Sequence, residues 1–293
     1  MIALITYHDN GTYHTAAQDN EDDLLIHHLN RKGFRIEKVV WNDPSVHWES
    51  YALVLLKSPW DYFNRITDFY AWLSRLKQKN IRVLNPLEVL RWNADKHYLK
   101  DIEAAGLAVV NSAFLEKGSL PALEPYFEHF HTQKLIVKPA VSGGSKNTFK
   151  ISSENVHVVR EMLHVLLQEE AFMIQPFLPE ISEEGEWSFL FFGGKFSHAL
   201  LKKAKPGDFR VQHSFGGTIH PQQPTTAQIS TAQQYVEKFA NDCLYARVDG
   251  VFLKNEFHLM ELELIEPFLF LEADSHSFER YSEALIQVVE TSA

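Results

Sequence analysis

One cysteine, Cys243, occurs in 293 residues. No intrachain disulfide can form and no cysteine-rich zinc site exists, so a lone thiol of this kind reads as a small core residue. No apolar run approaches the ~18 residues that a membrane-spanning helix needs. The first residues reach Asp9 without the basic start of a signal peptide, so the expectation is a cytoplasmic chain. Basic residues are also in short supply: Lys and Arg total 28 against 38 Asp and Glu, a formal charge of −10. Nucleic-acid binders draw affinity from a basic surface, and this balance argues against that class. The Walker A loop, G-x-G-x-x-G, H-E-x-x-H and G-x-S-x-G are all missing, which removes the common nucleotide folds, the zincins and the serine-hydrolase elbow. There are no repeats and no long Gly/Ser linker.

What is present is a globular mixture, 45% hydrophobic and 23% charged, long enough for more than one core. Over the first ninety residues, strand candidates at Ile2–Tyr7, Phe34–Trp41, Tyr51–Leu56 and Ile81–Leu84 alternate with helix candidates at Asp22–Lys32 and Ile66–Leu76. In the second of these, Ile66, Phe69, Trp72, Leu73 and Leu76 keep helical spacing. Strands separated by helices predict a parallel sheet with crossovers. Asn93 is expected to cap a helix running to Ala105, ended by Gly106. Further strands are read at Leu135–Pro139, Thr148–Ile151 and Phe172–Leu178, with a helix at Val156–Leu167. Two hairpins follow, one turning at Gly193-Gly194 and one around Lys254-Asn255-Glu256, with a helix over Thr231–Cys243 between them.

The second hairpin carries the chemistry. Strand side chains alternate between faces, so Arg247 and Asp249 share one face, as do Glu261 and Glu263. A three-residue loop pairing Leu253 with Phe257 sets Asp249 opposite Glu261 and Arg247 opposite Glu263. A two-residue loop sends Asp249 and Glu261 to opposite faces. Carboxylates so close need a positive partner, which a hard divalent cation such as Mg²⁺ supplies. A solvated strand face neutralised by Arg247 explains the spacing equally well. Lys138-Pro139 at a strand end, followed by Ser142-Gly143-Gly144, is a modest phosphate-binding signal, because glycine lets backbone N–H groups approach an anion and lysine supplies charge. Trp60-Asp61-Tyr62 follows a parallel strand, where open sheets place ligands; substrate contact and loop packing weigh equally there. Of 15 histidines, His213 is the one to test.

Several segments stand in a telling order: Ser58-Pro59-Trp60-Asp61-Tyr62, Val83-Leu84-Asn85-Pro86, Trp92-Asn93-Ala94-Asp95-Lys96, Val137-Lys138-Pro139, Ser142-Gly143-Gly144 and Ile174-Gln175-Pro176-Phe177-Leu178-Pro179-Glu180. The series continues through Gly185-Glu186-Trp187-Ser188, Asp208-Phe209-Arg210-Val211-Gln212, Arg247-Val248-Asp249 and Glu261-Leu262-Glu263-Leu264-Ile265-Glu266-Pro267. Together they resemble the ATP-grasp superfamily of carboxylate–amine ligases, in the branch of D-cycloserine ligase and prokaryotic glutathione synthetase-like proteins. The resemblance implies an α/β plus α+β chain. An N-terminal parallel-sheet, Rossmann-like pre-ATP-grasp domain over residues 1–92 would precede an ATP-grasp domain with a small lobe over 93–176 and a C-terminal lobe with the metal site over 177–293.

The resemblance also implies roles. Lys96 and Lys138 would touch the nucleotide phosphates under the loop of Ser142, Gly143 and Gly144. Gln175, Phe177 and Leu178 belong to the hinge strand that meets adenine, and Glu180 would hold the ribose. Asp249, Glu261 and Glu263 would bind Mg²⁺, for which Mn²⁺ is an alternative; family members commonly carry Asn at the position of Glu263, and the extra charge suits a second ion or another geometry. Arg210 and Arg247 would stabilise the transferred phosphate or an acyl-phosphate. The implied activity is ATP-dependent joining of a small carboxylate to an amine with release of ADP and phosphate. A phosphotransferase acting on a small metabolite, or a nucleotide-binding regulatory protein without turnover, are the rival readings. A homodimer is the default oligomer, with no nucleic-acid or membrane partner.

Overall fold

The computed structural model describes residues 1–8, 16–205, 207, 210–211 and 216–290, and in it the chain builds three sheets. The first is parallel, made of β1 (Ile2–Thr6), β2 (Ile36–Val40), β3 (Leu53–Ser58) and β4 (Val83–Leu84) in the order β2-β1-β3-β4. Helices α1 (Ala16–Arg31) and α2 (Ile66–Gln78) join β1 to β2 and β3 to β4. β1 and β3 are covered on both faces, which is why they read as unbroken apolar runs. On one face Ala3, Ile5, Val54 and Leu56 pack against Phe69, Trp72 and Leu76 of α2. Each such side chain contributes about 1.5–3 kcal/mol of burial. α1 begins well before the expected Asp22, and its apolar stripe starts late because Glu21 and Asp22 are buried against Lys57 of β3 rather than against a greasy core.

Helix α3 (Leu87–Asn93) leads from the first sheet, and α4 (Tyr98–Ala104) follows it after a short break. The expectation of one helix capped by Asn93 is corrected here. Asn93 ends α3, and its side chain bonds the backbone of Leu262 and Leu264 instead. Gly106, at φ 82°, does end the second helix as expected.

The second sheet is antiparallel, with β5 (Ala113–Leu115), β6 (Leu135–Pro139), β7 (Phe149–Ile151) and β8 (Phe172–Pro176) in the order β5-β8-β6-β7. α5 (Glu124–His129) and α6 (Val156–Leu166) belong to this layer, and Val156, Val159 and Leu163 of α6 pack on Val137 and Ile174. After α7 (Pro179–Glu183), the third sheet gathers β9 (Glu186–Phe192), β10 (Lys195–Lys203), β11 (Thr218–Gln222), β12 (Tyr245–Leu253) and β13 (Glu256–Glu263) as β11-β10-β9-β12-β13. α8 (Thr226–Phe239) starts earlier than the apolar spacing suggests because Thr225 and Gln228 form a capping box. α9 (Ser277–Glu290) places Tyr281 and Leu285 in a core shared with Leu4, Leu25, Leu55, Leu190 and Leu200. The first and third sheets therefore share one interior.

The β12–β13 hairpin turns in two residues, not three: Leu253 pairs with Glu256, and Lys254 and Asn255 both take positive φ. By alternation alone this turn separates Asp249 from Glu261. A bulge intervenes. Gly250 pairs with Leu259 and Asp249 with Glu261, so Met260 is the extra residue and parity is restored. Gly250 is obligatory at this bulge, since a Cβ there would lie 2.5 Å from the His258 carbonyl oxygen. Asp249 opposite Glu261 and Arg247 opposite Glu263 are both as expected, reached through a different turn.

Candidate active site

The second and third sheets enclose a cleft of about 450 Å³ closed at one end by the first domain, a size that suits a nucleotide-sized ligand. Lys138 enters from β6 and Lys96 from the link between α3 and α4. The Lys96 backbone N–H donates to the Ala140 carbonyl at 2.9 Å, and its Nζ donates to the Ser142 carbonyl at 2.8 Å and stands 3.1 Å from Glu261 Oε1. One lysine thus ties the loop after β6 to the metal-candidate strand. The Lys138 ammonium has neither a hydrogen bond nor an ion pair among the described residues, and burial outweighs the nearby Glu261 to lower its pKa.

Ser142, Gly143, Gly144 and Ser145 line the cleft. Gly143 lies so close to the Phe63 ring that a Cβ would sit 2.6 Å from its Cε1, and Gly144 takes φ 58°. Both positions call for glycine. Gln175, Phe177 and Leu178 form the wall contributed by β8 and the residues after it, with Gln175 Nε2 donating to Ser112 Oγ at 2.9 Å. Glu180 stands in α7 between the wall residues Leu178 and Ile181 without itself lining the cleft.

On the third sheet, one face presents Glu186 and Ser188 of β9, Lys202 of β10, Arg247 and Asp249 of β12, and Glu261 and Glu263 of β13. Asp249 is saturated with donors. Arg247 Nε lies 3.1 Å from each of its oxygens, Arg247 Nη2 and Lys202 Nζ lie 2.9 Å from Oδ2, and Ser188 Oγ donates at 2.6 Å to Oδ1. Burial alone would raise this carboxyl, but the two cations and these hydrogen bonds outweigh it and hold it at about 2. Lys202 also pairs with Glu186, and Arg247 with Glu263. Glu261 is held below its usual range, Lys96 and Lys138 overcoming burial. Glu263 goes the other way, to about 7: burial, with Asp249 and Glu261 beside it, outweighs Arg247.

The acids therefore line one cleft, each engaged by a cation, and among the described residues no three His, Cys, Asp or Glu side chains already stand as a preformed metal cage. The donor set still fits a hard divalent ion. Its oxygens are carboxylates from two adjoining strands, Asp249 of β12 and Glu261 and Glu263 of β13, and all three line the cleft.

Lys202, Glu186 and Ser188 were not singled out as site residues from the sequence. Alternation along β9 puts Glu186 and Ser188 on one face, and Ser188 pairs with Asp249; Lys202 reaches that face only because a bulge between Phe196 and His198 shifts β10 by one residue, so that it pairs with Glu186. Trp60 lines the cleft and donates from Nε1 to the Glu266 carbonyl at 3.0 Å. Asp61 instead accepts from Trp41 Nε1 at 2.6 Å, and Tyr62 is buried beside Phe69, so both serve packing. Arg210 lines the cleft; His213, Asp208, Phe209 and Gln212 lie outside the described residues.

The wall beyond Glu263 has its backbone fixed by side chains from elsewhere. Asn93 takes Leu264 N–H, Asn85 and Tyr245 take the carbonyls of Leu264 and Ile265, and Trp60 takes that of Glu266. Arg247 Nη1 donates to the Phe268 carbonyl at 2.9 Å, His198 Nε2 meets the Leu269 carbonyl at 3.0 Å, and Glu21 accepts both Leu269 and Leu271 N–H groups.

Residues 2–85 match the family model of the D-cycloserine synthetase DcsG N-terminal domain, and residues 122–267 match that of the prokaryotic glutathione synthetase ATP-grasp domain. The cycloserine biosynthesis protein DcsG of Streptomyces lavendulae is 28% identical over 176 residues, which are 59% of this chain and 58% of that protein. The chain thus spans under two thirds of this curated relative in the sequence match. The crystal structure of D-cycloserine synthetase DcsG superposes with a TM-score of 0.85 at 24% identity over 98% of both chains. D-alanine–D-alanine ligase from Bacillus anthracis complexed with ATP gives 0.71 at 15% identity over 99% of this chain and 96% of that one. The ligase PsnB with Mg and ADP gives 0.67 at 14% identity over 98% of each. These superpositions are a likeness of fold. No helix among the described residues is long and apolar enough to cross a membrane.

Proposed function

The chain is an ATP-grasp protein related to D-cycloserine synthetase DcsG and to the prokaryotic glutathione synthetase ATP-grasp domain, and from that premise we propose that it is an ATP-dependent ligase joining a small carboxylate to an amine. The observation that carries this reading is the convergence of Lys96, Lys138, Arg210, Arg247, Asp249, Glu261 and Glu263 on one cleft beside a glycine loop. In this reading Gln175, Phe177 and Leu178 meet the adenine, Glu180 reaches the ribose when the cleft closes, and Lys96 and Lys138 hold the phosphates under Ser142, Gly143 and Gly144. Asp249, Glu261 and Glu263 hold Mg²⁺, with Mn²⁺ an alternative. A triphosphate brings about four negative charges to acids already balanced by cations, so a divalent ion must come with it. That ion neutralises charge on the phosphoryl oxygens.

The carboxylate oxygen attacks the γ-phosphorus, and the bond to the ADP bridging oxygen breaks. The amine nitrogen then attacks the acyl carbon, phosphate departs, and the nitrogen loses its proton. Phosphorylation is needed because an oxide is a poor leaving group. Arg247, anchored by Asp249 and the Phe268 carbonyl, presents fixed positive charge to the transferred phosphoryl group and to the tetrahedral intermediate. Arg210, which also lines the cleft, supports the same charge. The loop over the phosphates excludes water that would hydrolyse the acyl-phosphate.

Incubation with ATP, Mg²⁺ and pooled amino acids is expected to release ADP and inorganic phosphate in equal amounts. AMP would contradict the acyl-phosphate route, ADP without phosphate would point to a phosphotransferase, and ATP binding without turnover to a regulatory role.

A further inference from the structure

Gly143 and Gly144 stand side by side in the loop after β6, and the structure gives them different reasons to be glycine. Gly144 takes φ 58°, a backbone that side chains resist. Gly143 lies outside that left-handed region, so its backbone would suit other residues. What excludes a side chain there is the ring of Phe63: a Cβ would lie 2.6 Å from Cε1, 3.0 Å from Cδ1 and 3.4 Å from Cζ.

Phe63 is held where it is. It belongs to the short 3₁₀ helix Tyr62–Arg65 of the first domain and is 6% exposed. Its ring stands edge to face on Tyr62 at 5.7 Å, Tyr62 lies 4.8 Å from Phe69, and Phe69 lies 5.7 Å from Trp72. A file of rings thus backs it into the first-domain core. The next residue meets the same loop by other chemistry, Asn64 Oδ1 accepting from Lys146 Nζ at 2.9 Å. At the root of the loop, Val141 packs on that core too. Residues 141, 143 and 146 therefore all touch the first domain, although the loop belongs to the second sheet. The loop also lines the cleft through Ser142, Gly143, Gly144 and Ser145, and Phe63 lines it beside them.

We propose that Phe63 is a positioning residue for the nucleotide step: its ring is the stop on which the loop of Ser142, Gly143 and Gly144 rests over the phosphates, and Gly143 is glycine for that stop rather than for contact with an anion. This rests on the reading of the cleft as a nucleotide site, given above. Backbone N–H groups grip a phosphate only at hydrogen-bond distance, so the depth at which the loop stops decides the strength of the grip. Phe63 lies outside residues 122–267, which match the ATP-grasp model. The hold on the nucleotide is thereby set in part by the first domain.

The test is a double-mutant cycle on the full chain, read by calorimetric titration with a non-hydrolysable ATP analogue and Mg²⁺. Gly143→Ala is expected to weaken binding by about tenfold, because its methyl group pushes the loop off the ring. Phe63→Ala removes the stop and should weaken binding by about threefold to tenfold, since the loop is no longer preorganised. The two losses should not multiply: the double variant is expected to bind within about twofold of Phe63→Ala alone. Phe63→Leu, which lacks Cε1 and Cζ but keeps an apolar body, repeats the cycle with less of the core removed. Tryptic cleavage after Lys146 reports the loop itself. The analogue should protect this bond in the parent and leave it open in Phe63→Ala at saturation, a difference that packing alone would not produce.

Losses that multiply in both Phe63 backgrounds overturn the proposal and assign Gly143 to the phosphate. Parent-like affinity in Gly143→Ala or in Phe63→Ala overturns it as well, as does equal protection of the Lys146 bond. A parent chain that binds no ATP analogue removes the nucleotide reading and this inference together.

Discussion

Glu21 and Lys57 form an ion pair 2.9 Å long in which both side chains are 1% exposed. The same Glu21 carboxylate accepts the backbone N–H groups of Leu269 and Leu271, so a helix of the first domain holds the cleft wall of the third sheet. Burial lowers the Lys57 pKa, and Glu21 with Asp22 more than offsets it. Breaking a buried pair from one side leaves a bare charge, which costs about 3–5 kcal/mol. Glu21→Ala is expected to destabilise by that amount in urea unfolding, and adding Lys57→Met to destabilise further, since buried Asp22 then loses its cation too.

The Lys138 ammonium has no hydrogen bond or ion pair among the described residues, only the more distant attraction of Glu261, so its donors are available to a ligand. Lys138→Ala should weaken binding of a non-hydrolysable ATP analogue by about tenfold to a hundredfold, the worth of one charge-assisted hydrogen bond at about 1.5–3 kcal/mol. The melting temperature should not fall, because the burial cost disappears with the charge. Calorimetric titration and thermal unfolding read the two effects separately.

His198 is buried, with Nε2 against the Leu269 carbonyl and Nδ1 against Ser197 Oγ at 2.9 Å. Burial lowers its pKa to about 4, partly offset by the hydrogen bond to Leu269. The unfolded chain takes the proton near pH 6.5 and the folded chain only near 4, so stability from this residue is full above pH 6.5. It is lost as pH falls between those values. Between pH 7 and 4.5 the loss is expected to be about 2 kcal/mol. His198→Gln should flatten that part of the denaturation profile.

Gly250 makes the bulge that puts Asp249 and Glu261 on one face. Gly250→Ala forces a Cβ against the His258 carbonyl and the Phe257 ring, at an overpacking cost of about 1–3 kcal/mol. ADP release should fall further than the stability loss explains, since any relief through the register moves the acids apart.

The sheet classes and most elements were legible in the sequence because β1, β3 and α2 obey simple periodicity and their burial is local in origin. The same holds for the face shared by Arg247, Asp249, Glu261 and Glu263, although the turn was not: the three-residue loop and the bulge at Met260 predict the same pairing by different routes, and alternation cannot tell them apart. Asn93 looked like a helix cap because its type suits one, but its partners are Leu262 and Leu264, about 170 residues away. Glu21 and Lys57 gave no signal for the same reason. Their partnership is made by the fold, across elements whose spacing in the chain carries no period. Glu186 and Ser188 share a face by simple alternation, but Lys202 was out of reach: counting outward from the Gly193-Gly194 turn sends it to the opposite face, and only the bulge between Phe196 and His198 brings it opposite Glu186.

The ten residues from Leu262 to Leu271 owe their path to anchors spread over the chain, from Glu21 to Arg247, each of which bonds a backbone atom of the segment. Shape and chemistry are thereby uncoupled at this wall: the bonds that steer the main chain are made to its own N–H and C=O groups, so the side chains it turns toward the cleft can change without loss of those bonds.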